Sequence, residues 1–165
     1  MSQIKELIEL IKKDSECIVH SPSTDKINLE VPDDLMEFYE YTNGVSLFPD
    51  KPYGIEIVEK SKLISTNEFL YPKNDVIWEE LENDVTNDWF LIAKSDELSQ
   101  YISVDLTKDK FGKCYDSFYD THGEEGMSQI IAKNFTDLLT NLYKIKGLNW
   151  FWLESDFENL GDAFD

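Results

Sequence analysis

Apolar residues along this chain follow two rhythms, one near 3.6 and one near 2, and turn residues separate them. Ile4, Leu7, Ile8 and Ile11 recur at helical spacing, and Ser2 stands where a side chain can cap a first turn. Residues 3 to 13 are therefore expected to form an amphipathic helix. Residues 14 to 30 are less regular: Ser21-Pro22-Ser23 marks a loop, and Ile27 to Val31 reads as a short extended stretch. Pro32 then suits the first turn of a second helix over about 32 to 42. Asp33 and Asp34 lie at its positive end, Leu35, Phe38, Tyr39 and Thr42 share a face, and Asn43-Gly44 supplies a left-handed stop.

Period-2 segments follow. Val45 to Phe48 and Gly54 to Val58 read as strands joined by a proline-bearing loop. Residues 59 to 71 suggest at most a short helix. Trp89 to Ala93 is an apolar run expected to be covered, or nearly so, on both faces, whereas Tyr101 to Leu106 alternates and reads as a half-buried strand. After a lysine-bearing turn, Cys114 to Tyr119 is expected to pair back. Phe135, Leu138, Leu139, Leu142 and Tyr143 predict a long helix ended by Gly147. Helices at both ends with strand pairs between them define the class as α+β, in one domain.

Composition sharpens the picture. Acidic residues number 34 against 15 basic ones, all lysine, for a formal net charge of -19. Yet 41% of residues are hydrophobic and 13% aromatic, enough to bury a core. A folded body with a strongly negative surface repels phosphate backbones and anionic membranes and attracts cationic partners. No nucleic-acid or membrane partner is expected. No apolar run is long enough to span a bilayer, and the first residues do not read as a signal peptide. Cys17 and Cys114 lie far apart and suit a reducing compartment, so a cytoplasmic location is expected.

Candidate chemistry is sparse. Asp116, Asp120 and His122 could share a divalent ion, but strand alternation separates Asp116 from Tyr119 and no second histidine is near. His20 reads as a loop residue. Neither cysteine carries a catalytic signature, and buried inert thiols are the expectation. No phosphate-cradling glycine motif is present. Neither catalysis nor a cofactor or metal is expected. The acids themselves are the candidates. Asp75, Glu79, Glu80, Glu82, Asp84 and Asp88 surround Trp78 without an intervening basic residue. They read either as a docking surface with an aromatic anchor or as a solvated face. Trp78, Leu81 and Val85 also match a helical core stripe. Glu154, Asp156 and Glu158, with Asp162 and Asp165, carry the same docking reading, against that of a mobile acidic tail.

The order of these signals resembles the SUKH superfamily in its Smi/Knr-like branch. The residues that carry the resemblance are Val31-Pro32-Asp33-Asp34-Leu35-Met36-Glu37-Phe38-Tyr39, then Tyr41-Thr42-Asn43-Gly44-Val45. Trp89 to Asp96, the strand Tyr101 to Asp105 and Ile131 to Leu139 follow, with Asn134-Phe135 opening the last helix. The match runs from about 28 to 143. Residues 1–147 are thus expected to be a SUKH-like domain and 148–165 an acidic, aromatic extension packed on it or trailing from it. The resemblance implies a twisted, mostly antiparallel sheet packed by helices. It carries over Pro32, Tyr41, Gly44 and Asp96 as structural positions. It also implies a non-catalytic immunity protein that binds and neutralises a cognate toxin domain, often a nuclease and here expected to be basic. The alternative is a regulatory or scaffold module that binds a basic cellular protein.

Overall fold

The computed structural model describes residues 1–165. Its frame is one seven-stranded sheet whose spatial order is the chain order, every neighbouring pair antiparallel. The strands are β1 (Cys17–Val19), β2 (Val45–Leu47), β3 (Ile55–Ile57), β4 (Trp89–Ser95), β5 (Gln100–Asp105), β6 (Cys114–Asp116) and β7 (Ile130–Ala132). The helices are α1 (Gln3–Lys12), α2 (Asp33–Tyr41), α3 (Thr66–Leu70), α4 (Ile77–Glu80) and α5 (Phe135–Lys144). The expected α+β domain with an antiparallel sheet is therefore what forms.

The amphipathic helices behave as their periodicity dictates. Ser2 Oγ accepts the Lys5 N–H at 3.1 Å, and Ile4, Ile8 and Ile11 are buried. α2 buries Leu35, Phe38 and Tyr39. Asp34 serves two elements. One carboxylate oxygen accepts its neighbour Leu35 N–H, and the other accepts the Thr136 N–H and hydroxyl at 2.8 Å in the first turn of α5. One acid thus neutralises the positive end of α5 and ties α2 to it. The helices α1, α2 and α5 cover one face of the sheet, where Phe38 meets Phe135 edge-on at 4.8 Å. α2 ends not at the expected glycine stop but where Thr42 turns extended, two residues earlier. Gly44 (φ +94°) serves the sheet instead: a Cβ there would lie 2.6 Å from the Ile57 carbonyl oxygen, so β3 needs a glycine beside it.

Several expectations need correction. β5 is buried on both faces rather than half-buried. Ile102 and Val104 join the helix-side core, and the polar alternates are satisfied internally. Ser103 Oγ lies 2.8 Å from Thr66 Oγ1 and 2.7 Å from Ser117 Oγ, while Asp105 accepts from Thr107 and from the Tyr115 hydroxyl. Polar residues in a strand read as solvent-facing only when nothing buried can pair with them. β6 ends at Asp116, because its carboxylate accepts the Phe118 N–H and turns the chain. Ile27 to Val31 forms no strand, and the short strands β1 and β7 carried no period of their own.

The C-terminal extension is ordered and wraps the β7 edge. Trp150, Phe151 and Trp152 are buried in the helix-side core, where Trp150 and Trp152 stack at 5.5 Å. Ala163, with Leu160 and Phe164, then joins Trp89, Tyr115 and Ile130 in a second cluster on the other side of the sheet. Asp162 holds this end: its carboxylate accepts the Gly126, Ser128 and Phe164 N–H groups. Lys110 Nζ donates to the Ala163 and Asp165 carbonyls. A mobile tail is not what these residues form.

Candidate functional site

The acidic segment 75 to 88 does not build one helix. α4 lasts four residues, Asn83 takes φ +61°, and a 3-10 turn spans Val85–Asp88. The stripe expected from Trp78, Leu81 and Val85 is therefore broken, with Val85 exposed and Trp78 half-buried. Trp78 Nε1 donates to the Pro72 carbonyl at 2.8 Å and its ring meets Tyr71 edge-on. Two of the acids are turn builders. Asp75 accepts the Ile77 N–H, and Asp84 accepts both the N–H and the hydroxyl of Thr86. Glu79, Glu80, Glu82 and Asp88 are exposed, and none has a lysine within ion-pair distance.

A buried amide network fixes this segment. Asn67 on α3 donates through both amide hydrogens, to Thr86 Oγ1 at 2.9 Å and Asn87 Oδ1 at 3.0 Å. Asn87 in turn donates to the Leu81 carbonyl at 2.7 Å. With both its hydrogens spent, Asn67 can offer His122 only its oxygen, so His122 Nε2 must carry the proton that spans the 2.8 Å between them. His122 Nδ1 then holds a lone pair and has no protein partner. Burial pushes the imidazole down to about 4, opposed by the Asp84 charge. His122 is therefore neutral at pH 7 and works as a fixed strut. Asp116 bonds elsewhere, to the Gln100 amide at 2.7 Å, and burial raises its carboxyl. Its side chain and His122 serve different contacts.

The second acidic group lines a groove. Between α5 and residues 151–160, beside Ile131 to Lys133, lies a cleft of about 500 Å³. Glu154, Asp156 and Glu158 stand on its C-terminal bank, exposed and without lysine partners. Asp137 and Lys144 stand on the α5 bank. Phe157 is half-buried against Phe151 in the wall. Sequence spacing placed these acids together but could not show the cleft, which depends on the chain crossing the β7 edge.

Pro32 leads into α2, and Tyr41 lies under Lys5, whose ammonium is 5.2 Å from the ring. Asp96 accepts from Lys94 and, at 3.2 Å, from the Tyr101 hydroxyl, stapling the β4–β5 hairpin. Both thiols are buried and uncombined, and burial raises both. No helix is long and apolar enough to cross a membrane.

The structure is thus a meander sheet with α1, α2 and α5 on one side and the short α3 on the other, a proline-led α2 followed by a glycine-dependent approach to β3, and a closing helix at Phe135. Residues 24–141 match the SMI1 / KNR4 family (SUKH-1), and the chain belongs to that family. It is also similar to the immunity protein YokJ of Bacillus subtilis (strain 168), with 36% identity over 163 residues. That similarity covers 96% of this chain and 94% of the relative, so it reaches into the C-terminal extension beyond the family match.

Proposed function

We propose that this protein is an immunity protein that binds a cognate toxin domain and blocks it without catalysis. The observation that carries this reading is the end-to-end similarity to an immunity protein. The surface supports a finer statement: the toxin presents a basic face, as a nuclease does in its substrate groove. An inhibitor with a net charge of -19 and unpaired Glu79, Glu80 and Glu82 can occupy such a groove by imitating the charge of a nucleic acid. These exposed glutamates act mainly on encounter. They accelerate encounter, while buried anchors set the lifetime of the complex. Asp75 and Asp84, committed to turns, present the segment.

Association with the toxin domain encoded beside its gene tests this. The on-rate is expected to fall by on the order of tenfold between low and near-physiological salt, with dissociation little changed. The triple variant E79K/E80K/E82K should associate on the order of tenfold more slowly. Absence of a complex at micromolar concentrations would overturn the immunity reading. An on-rate indifferent to salt would overturn the basic partner.

A further inference from the structure

We infer that the cleft beside β7 is the docking surface, and that it takes an extended segment of the toxin, bearing lysine or arginine at alternate positions, as an eighth strand of the sheet. This rests on the immunity reading above.

β7 ends the sheet, and β6 is its one neighbour strand. Its outer side is engaged at one end only. Asp162 bridges to Gln129, and the Gly161 carbonyl accepts the Ile130 N–H at 2.9 Å. The C-terminal chain thus occupies the eighth-strand position for a single step and leaves it. Past that point Ile131, Ala132 and Lys133 border the open cleft. An added strand would lie in that position with main-chain bonds to β7, the mode in which sheet edges capture extended peptides. The edge is short and the β6–β7 register is irregular, which discourages indiscriminate pairing. Selectivity then falls to the walls.

The walls specify the occupant. Side chains of a strand alternate between two sides. Toward the inside, Ile145, Phe157 and Leu160 offer apolar surface; toward the rim stand Glu154, Asp156 and Glu158. Among the lining residues these three and Asp137 outnumber the two lysines, Lys133 and Lys144. No ion pair satisfies any of the four carboxylates. A second copy of this chain fits poorly, because it would bring the same acids and a net charge of -19 against themselves. A basic strand meets both requirements.

Amide hydrogen exchange on the full chain, alone and with the toxin domain encoded beside its gene, tests the inference. Ala132 is paired with Cys114 of β6, whereas the Lys133 N–H has no partner in the chain alone, so the Lys133 amide is the one expected to exchange at least about tenfold more slowly in the complex. The variant E154K/D156K/E158K should weaken binding on the order of 100-fold, through slower association as well as faster dissociation. A neutralising complex that leaves exchange at Lys133 unchanged would overturn the cleft while leaving the immunity reading intact. Protection of this amide in the chain alone, through dimers at rising concentration, would also overturn it. Failure to form any complex would remove both.

Discussion

A chain ending at Leu148 is expected to lose cooperative folding at 25 °C. The segment removed holds Trp150, Phe151 and Trp152, each at most 7% exposed in the helix-side core. Truncating one such aromatic costs about 3–5 kcal/mol. Losing them together, even without full additivity, consumes most of the roughly 5–15 kcal/mol that holds an ordinary domain folded. The second cluster loses Ala163 and the contact of Phe164 with Trp89, whose rings lie 5.8 Å apart. The Gly126 and Ser128 N–H groups lose the Asp162 carboxylate. Far-UV circular dichroism on heating should show no sharp transition in the shortened chain. A cooperative melt within a few degrees of the full-length protein would mean that the extension is a decoration.

Acid is expected to loosen the protein through His122 before it reaches the carboxylates. In the unfolded chain this imidazole titrates near its ordinary 6.5; in the fold burial holds it at about 4. Between those values the unfolded state binds the proton and the folded state does not. Stability is therefore fully present above about pH 6.5 and is lost as pH falls toward 4. The loss from pH 7 to 4.5 should be about 2–3 kcal/mol. Protonation would place a second N–H on Nδ1, where no protein acceptor waits. Asp116 works in the opposite sense: its raised carboxyl favours the fold as pH falls through its titration. Comparison with His122→Gln cancels that contribution. Denaturant unfolding at the two pH values should show a loss about 2–3 kcal/mol smaller in the variant. Equal losses in both proteins would contradict the role given to His122. Because His122 braces Asn67, and Asn67 braces Thr86 and Asn87, the acidic segment is the element this titration would release.

How much of this was legible in the sequence depends on whether a signal was local. Helices α1, α2 and α5 announce themselves because a one-sided apolar face at period 3.6 and a capping residue lie within a dozen positions. The Trp89 to Ala93 part of β4 could be read as nearly covered on both faces because it is apolar throughout. β5 could not, since Ser103 is matched by Thr66 and Ser117, 37 and 14 residues away, and Asp105 by Tyr115, 10 residues away. β7 has three residues and draws its place from β6 and from Gly161, both outside any local window. The acids were legible as charge and illegible as roles. Asp84 and Asp162 turn out to hold turns, Glu79 and Glu80 to face water, and Glu154, Asp156 and Glu158 to line a cleft. Only the path of the backbone separates these uses. His122 likewise drew attention as a ligand beside Asp116, while its actual contact, Asn67, lies 55 residues upstream.

The central claim is that an anionic body silences a toxin by occupying it. Titration of the toxin domain encoded beside its gene with the purified full chain tests this most directly. Toxin activity should fall linearly and vanish at one molar equivalent, with the complex migrating as a single species. Undiminished toxin activity at twofold molar excess would contradict it.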